Sequence, residues 1–127
     1  GLGDVYKRQI LDFKIESPNA DYLSYTGSRF AMHGLTSALA IDLAPKLRIN
    51  SVAPGHVLTS DILDAQTLQR VQSESPLGFG PSARDVAESV AFLAKSPAIT
   101  GQTIFVDSGE RFRQMKKDPA LDKGEQK

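Results

Sequence analysis

Short apolar segments alternate with helical patterns along this chain, and this alternation constrains its fold more than any other feature. Residues 10–13 (ILDF), 47–52 (LRINSV) and 103–106 (TIFV) have the apolar and β-branched content of buried strands. Helical patterns run from about Ser24 to Ala44 and from Ser82 to about Lys95. Strands that alternate with helices are typical of a parallel sheet with right-handed crossovers. We therefore predict an α/β fold built on a parallel sheet.

The first helical pattern is apolar over most of its circumference. Its apolar positions are Phe30, Ala31, Leu35, Ala38, Leu39, Ile41 and Leu43. Ser24 is the expected cap, and Pro45 stands just past the end. A helix with so wide an apolar surface needs partners on several sides. We expect the sheet on one face and a second subunit on the other.

The second helical pattern has a recognisable start. Ser82 is the expected cap, and Asp85 stands at the third helical position, where a carboxylate suits the helix dipole. The inward positions are expected to be Val86, Val90, Phe92 and Leu93. Between the two patterns, residues 61–72 predict an exposed polar helix and residues 75–81 a loop rich in Pro and Gly.

Composition excludes several classes of function. A chain of 127 residues with 40% hydrophobic residues suits one domain, and a net charge of zero gives no reason to expect nucleic acid or an acidic membrane as a partner. There is no cysteine, and His33 and His56 lack a metal-ligand spacing, so no metal site is expected. No apolar run approaches the roughly 18–20 residues that span a bilayer, and no signal peptide is evident. We expect a soluble cytoplasmic protein.

Both ends of the chain are predicted to lie outside the folded domain. Residues 1–9 end in DVYKRQ, which looks like a translated sequencing adapter, and we interpret them as a non-native scar. The alternative is a genuine loop and strand start. Residues 111–127 are mostly charged and polar, which predicts a disordered tail. The domain is then expected to span residues 10–110.

One polar pair on the first helix suggests chemistry. Tyr25 and Arg29 are four residues apart, so they share a helical face with their Cβ atoms about 5–6 Å apart. A nearby cation favours the phenolate and so lowers the pKa of a tyrosine from its usual value of about 10. Such a phenol is a candidate general acid. Taken alone, a pair of this kind is more often a solvated helix face.

The order of the motifs resembles the C-terminal half of the short-chain dehydrogenases/reductases. Residues 25–29 (YTGSR) stand where that family has Tyr-x-x-x-Lys. Residues 42–55 (DLAPKLRINSVAPG) are similar to the segment that runs into its Pro-Gly turn, and residues 99–107 (ITGQTIFVD) to its last strand. The resemblance implies the C-terminal part of a doubly wound parallel-sheet Rossmann fold. The N-terminal strands, the Gly-rich cofactor loop and the family's catalytic asparagine would then lie upstream of Asp12.

The resemblance also implies roles for individual residues. Tyr25 would be the general acid of carbonyl or imine reduction, and Arg29 would bind the nicotinamide ribose and lower the pKa of Tyr25. The Pro54–Gly55 turn, Val57 and Thr59 would contact the nicotinamide end of the cofactor, the alternative for the last two being ordinary loop residues. The implied cofactor is NADP or NAD, with NADP favoured. The implied partners are a small-molecule substrate and further copies of the chain in a dimer or tetramer.

Asp12 departs from the family in an informative way. It lies thirteen residues before Tyr25, where the family usually has a serine that binds the substrate carbonyl. Pteridine reductases and bacterial dihydromonapterin reductases resemble this chain in having an aspartate there. A carboxylate is a strong acceptor for the ring N–H and amino groups of a pterin. Asp12 is therefore the third candidate catalytic residue, the alternative being an aspartate that caps the following loop.

Three further departures bear on activity. Arg29 replaces a lysine, and its planar guanidinium is bulkier and less compact as a charge. Gly27 lies within the helix, at a cost of up to about 1 kcal/mol relative to alanine. Ser108 stands where the family commonly has a glycine.

Three functional hypotheses remain open from the sequence. The first is a reductase that uses NAD(P)H on a C=N or C=O group, with a dihydropterin as the candidate substrate. The second is a general carbonyl or hydroxyl-acid reductase in which Asp12 is incidental. The third is a non-catalytic fragment or dimerisation module of such an enzyme.

Overall fold

The computed structural model describes residues 6–10, 23–60 and 63–115 of the chain, the first of these segments by its backbone alone. The elements in chain order are strand β1 (Tyr6–Ile10), helix α1 (Leu23–Asp42), strand β2 (Arg48–Pro54), helix α2 (Ala65–Ser73), helix α3 (Ala83–Lys95), strand β3 (Thr103–Val106) and a 3-10 helix, η1 (Glu110–Met115). The strands form one parallel sheet in the order β1-β2-β3. The predicted parallel α/β fold is confirmed.

The first strand lies earlier in the chain than the sequence indicated. We expected residues 10–13 to form the end of a buried strand, but β1 spans Tyr6–Ile10, so most of it falls within the nine residues that we excluded from the fold. The prediction failed because it relied on apolar side chains, whereas a parallel ladder to β2 is made by main-chain groups. That residues 1–9 are non-native stays a prediction.

Helix α1 packs its inner face on β2. The hydroxyls of Thr36 and Ser51 are 3.0 Å apart and buried, and Met32 packs against Ala53. The predicted contact with the sheet is confirmed. Several large apolar side chains of α1 are exposed on the remaining surface: Leu23, Phe30, Leu35 and Ile41, the last 80% exposed. A second subunit on that surface stays a prediction.

Helix α3 is capped at both ends. Ser82 and Asp85 form the predicted capping box, in which each side chain accepts a hydrogen bond from the other residue's backbone N–H. At the other end, Arg48 donates to four backbone carbonyls, those of Leu93, Ala94, Ser96 and Ile99, at 2.9–3.1 Å. Leu93 is buried, as predicted. Phe92 was expected to point inward, but it is 55% exposed, because it lies about 100° around the helix from Leu93 and lines an open groove.

Helix α2 begins at Ala65 rather than near residue 61. Asp64 is its cap, and the carboxylate accepts a hydrogen bond of 2.7 Å from the backbone N–H of Thr67. No residue of α2 is buried, which confirms that this helix is exposed.

The tail prediction was wrong for residues 111–115, which belong to η1. Arg111 pairs with the buried Asp107 at 2.8 Å, and its guanidinium lies 4.4 Å from the ring centroid of Phe105 and 4.2 Å from that of Phe112. These contacts order a stretch that composition alone assigns to a disordered tail. Residues 116–127 lie outside the described part of the chain. Over the residues that are described, no helix is both long and apolar enough to cross a membrane.

Candidate active site at the carboxyl edge of the sheet

The contacts between α1 and β2 show which end of the helix lies at which edge of the sheet. Thr36 contacts Ser51, and Met32, one turn earlier in α1, packs on Ala53, two residues later in β2. Four helical residues advance about 6 Å and two strand residues about 6.6 Å, so the helix and the strand run in opposite directions over matching lengths. The N-terminal turns of α1 therefore lie at the carboxyl edge of the sheet. This edge is where parallel α/β sheets bind their ligands.

Tyr25 and Arg29 lie on those N-terminal turns and contact each other. The Cζ atom of Arg29 is 4.9 Å from the centroid of the Tyr25 ring, and Nη1 of Arg29 donates to the sulfur of Met32 at 3.7 Å. The prediction that the pair shares a helical face is confirmed. The guanidinium lies over the ring face, where the cation is attracted by the π system. Tyr25 is 43% exposed, so this aromatic residue is open to a bound molecule.

The Pro54–Gly55 turn ends β2 at the same edge. The backbone N–H of Gly55 donates to the carbonyl of Val106 at 3.0 Å and so continues the sheet by one bond. A Cβ atom at position 55 would lie 2.5 Å from Oε2 of Glu110 and 3.1 Å from Asp107. A side chain at position 55 would displace the Glu110 carboxylate and crowd Asp107, which gives the glycine of the Pro-Gly motif a steric reason.

His56 and Glu110 form a contact that sequence reasoning missed. The backbone N–H of His56 donates to Oε2 of Glu110 at 3.1 Å, and its Nδ1 lies 2.5 Å from Oε1. Nε2 of Gln72 donates to the carbonyl of His56 at 2.8 Å. In the sequence, His56 was considered only as a possible metal ligand, and Glu110 was only the last residue of the expected domain. The two are 54 positions apart, and nothing in the local sequence pairs them.

The other candidate residues differ in what can be said of them. Val57 and Thr59 follow directly after His56, Val57 partly buried and Thr59 exposed. Asp12 lies outside the described residues, so its relation to Tyr25 stays a prediction. Among the residues that the structure covers, no cluster of His, Cys, Asp or Glu could hold a metal ion.

The turn after β3 explains one departure from the family. Ser108 has a φ of +53°, and Gly109 has a φ of +80°. The carboxylate of Asp107 stabilises this left-handed turn by accepting from the backbone N–H groups of Gly109 and Arg111, each at 3.0 Å. A glycine adopts such a φ without steric cost, which accounts for the family's preference at position 108.

One cavity in the described part of the chain lies away from the Tyr25/Arg29 pair. It is an open groove of about 770 Å³ between α3, β3 and η1, lined mainly by apolar side chains. Thr103 and Phe105 face α1, so Ile104 and Val106 in the groove point to the opposite face of the sheet. The Tyr25/Arg29 pair therefore lies on the α1 face of the sheet and not in this groove.

Comparison with known proteins agrees with this arrangement. A family model described as enoyl-(acyl carrier protein) reductase matches residues 13–110, which is most of the chain. The chain belongs to the short-chain dehydrogenase/reductase family. The resemblance drawn from its motifs is confirmed.

Several relatives of this family member are reductases of pterins or folates. It is 28% identical to the dihydromonapterin reductases of Citrobacter koseri and Escherichia coli over 102 residues, 80% of this chain and 42% of each relative. The chain thus spans less than half the length of these curated relatives. It is 30% identical to FolM alternative dihydrofolate reductase 1 from Brucella suis, solved in complex with NADP, with a TM-score of 0.83 over 91% of this chain and 46% of that one. A small-chain dehydrogenase in complex with NADPH gives 27% identity and a TM-score of 0.75 over 86% of this chain and 52% of the other. The expected partial Rossmann fold is confirmed.

Proposed function

We propose that this chain supplies the proton-donating part of an NADPH-dependent reductase. The observation that carries the proposal is the half-exposed Tyr25 beneath the Arg29 guanidinium, at the carboxyl edge of a parallel sheet. Membership of the short-chain dehydrogenase/reductase family supports it, as does the likeness to dihydromonapterin reductases and to an alternative dihydrofolate reductase.

The residues at this edge suit a nicotinamide dinucleotide. The Arg29 guanidinium is a cation with several N–H donors, which fits ribose hydroxyls and phosphate oxygens. The Pro54–Gly55 turn, Val57 and Thr59 lie at the ligand-binding edge and would hold the nicotinamide end. The complexes of two similar structures with NADP and NADPH favour NADP over NAD. When bound, the cofactor supplies a hydride.

Tyr25 would deliver the matching proton. Its hydroxyl would donate a proton to the nitrogen or oxygen of a C=N or C=O group, which leaves a phenolate. The positive charge of Arg29, stacked on the same ring, stabilises that phenolate by Coulomb attraction.

A dihydropterin is the substrate we propose for this site. The relatives named dihydromonapterin reductase and alternative dihydrofolate reductase support it. Asp12 would accept hydrogen bonds from the pterin ring, since a carboxylate is acceptor-only when ionised. The alternative is a general carbonyl or hydroxyl-acid reductase in which Asp12 has no role. A location in the cytoplasm is part of the same proposal.

The exposed apolar surface of α1 favours a second candidate function, as a dimerisation module. Phe30, Leu35 and Ile41 are 39%, 53% and 80% exposed on this one helix, and exposed apolar surface is often a site of protein–protein contact. In this reading two copies of the chain, or a homo-oligomer of the longer enzyme, cover the surface. Sedimentation velocity of wild type and Leu35→Glu distinguishes a monomer from an oligomer that the substitution breaks.

Two measurements test the leading proposal. Fluorescence titration of NADPH into the 127-residue chain should show saturable binding that is weakened in Arg29→Met and retained in Arg84→Met, a matched change at an exposed arginine of α3. Turnover assays on the full-length reductase that contains this chain should then show reduction of a dihydropterin in preference to a simple ketone. Absence of NADPH binding would favour the dimerisation module, and ketone turnover without pterin turnover would favour the general reductase.

A further inference from the structure

His56 is held on both sides, at the point where the Pro54–Gly55 turn leads into residues 57–59. Its backbone N–H and its Nδ1 each contact one oxygen of Glu110, at 3.1 Å and 2.5 Å. Its carbonyl accepts from Nε2 of Gln72 at 2.8 Å. The peptide groups before and after His56 are therefore fixed by side chains from η1 and α2. Such an arrangement sets the direction in which the chain leaves the turn.

Glu110 is suited to this task by its burial. The residue is only 4% exposed, and a buried carboxylate is tolerated when its oxygens have hydrogen-bond partners. His56 contacts both oxygens, and bonds to an ionised acceptor are stronger than neutral ones. Oε2 of Glu110 also occupies the space where a side chain at Gly55 would be. Glu110 thus fixes the turn by contact as well as by hydrogen bonds.

The neighbouring charges have partners of their own. Asp107 lies next to the Gly55 turn, and its carboxylate pairs with Arg111 at 2.8 Å. Farther along η1, Arg113 pairs with Glu74 at the end of α2. This second link joins η1 to the end of α2 and does not involve His56. It provides a matched comparison for the role of Glu110.

We propose that Glu110 is a positioning residue for residues 57–59, which we call the cofactor segment. By holding His56, Glu110 fixes the path of this segment at the carboxyl edge. The inference rests on the proposed function, because it assigns that segment to the nicotinamide end of the cofactor. It also gives η1 a functional role, since the carboxylate that holds His56 belongs to the first residue of η1.

Amide hydrogen exchange in the 127-residue chain tests the structural half of the proposal. In Glu110→Ala we expect the amides of residues 57–60 to exchange about tenfold faster, since a charge-assisted buried bond is lost. Glu74→Ala should leave them within about twofold of wild type, although it removes the ion pair between η1 and the end of α2. Should Glu110→Ala fail to fold, His56→Ala and Glu110→Gln report on the same contact. Equal exchange of residues 57–60 in the Glu110 and Glu74 variants would overturn the proposal.

Steady-state kinetics of the enzyme tests the functional half. Glu110→Ala should raise the KM for NADPH about tenfold and change kcat and the substrate KM by no more than about twofold. Glu110→Gln, which keeps the shape and one acceptor, should restore much of the loss, and Glu74→Ala should match wild type. If wild type binds NADPH and the KM for NADPH is unchanged in Glu110→Ala, the positioning role is refuted. If wild type binds no NADPH, the proposed function fails, and hydrogen exchange still decides whether Glu110 holds the segment.

Discussion

Helices α1 and α3 pack on opposite faces of the same sheet, yet they are stabilised differently. The start of α3 is closed by the Ser82–Asp85 capping box, and its last carbonyls are bound by Arg48 from β2. Within the described helix α1, the first turn has no acidic residue and the last turn no basic one. Its N-terminal half instead carries the Tyr25/Arg29 stack.

The two faces of the sheet therefore differ in role: contacts on the α3 face stabilise the fold, and residues on the α1 face are candidates for catalysis. On the α3 face, polar side chains satisfy helix ends that would otherwise lack partners. On the α1 face, a half-exposed phenol and a cation face the edge where the cofactor would bind. Changes on the α3 face should therefore alter unfolding, and changes at Tyr25 should alter turnover. Four substitutions test this separation.

The largest effect is expected for Tyr25→Phe. Removing the hydroxyl removes the general acid, which contributes about 10²–10⁴-fold to the rate. Turnover of the enzyme should fall by that factor, whereas the thermal unfolding midpoint should stay close to wild type because the ring and its contact with Arg29 remain. Ser24→Ala, one residue earlier and also exposed, is the control and should keep its activity. Full activity in Tyr25→Phe would contradict the assignment.

On the opposite face, Arg48→Ala should destabilise the fold by about 3 kcal/mol. The side chain donates to four carbonyls near the end of α3. A hydrogen bond from a charged group contributes about 1.5–3 kcal/mol, and the total is reduced because water can replace part of the lost bonds in the variant. Urea unfolding measures the change. Arg84→Ala removes an exposed arginine of α3 that pairs only across one turn with Glu88, and should cost less than about 0.5 kcal/mol. Similar losses in both variants would show that Arg48 has no special role.

A smaller effect is expected at the start of α3. Ser82→Ala removes the hydroxyl that accepts from the backbone N–H of Asp85 and should cost about 1 kcal/mol of unfolding free energy. Ser82→Asp offers another good capping group and should recover most of that loss. The comparison of the two faces predicts that neither variant changes NADPH affinity, which the fluorescence titration can check.

The smallest effect concerns acid pH. Hydrogen bonds from the backbone and hydroxyl of Ser82 hold the pKa of Asp85 below its ordinary value of 3.8. Ionised Asp85 therefore favours the folded state above that ordinary pKa, and its contribution is lost as pH falls through the lowered folded value. Asp85→Asn should remove this part of the acid dependence, so that wild type and variant converge in midpoint at low pH and differ at neutral pH. A constant difference at all pH values would show that Asp85 does not titrate with folding.

The sequence predicted the elements whose signals are local. The Ser82–Asp85 box, the last strand and the shared face of Tyr25 and Arg29 each depend on residues within one or two turns. Such signals hold because capping and helical spacing are properties of short segments. The family resemblance then allowed us to predict that these elements form part of a Rossmann fold.

The features that escaped prediction depend on residues far apart in sequence. Strand β1 is defined by its main-chain ladder to β2, which leaves little mark on side-chain composition. The contact of His56 with Glu110 and the packing of Arg111 against Phe105 need the carboxyl ends of β2 and β3 to be side by side. Only the folded sheet brings them together, so no short segment of the sequence could have indicated the contact between His56 and Glu110.

The strand pairing has a consequence for how the chain reaches its fold. Tyr6 pairs with Arg48 and Ser51 with Thr103, so each ladder joins residues more than 40 positions apart and neither can start as a hairpin. Closing such long loops costs chain entropy before any strand-to-strand bond repays it, and high contact order slows folding. The helices, which need only neighbours in sequence, can form transiently first. We expect the sheet, and with it the carboxyl edge that carries Tyr25 and Glu110, to be completed late in folding.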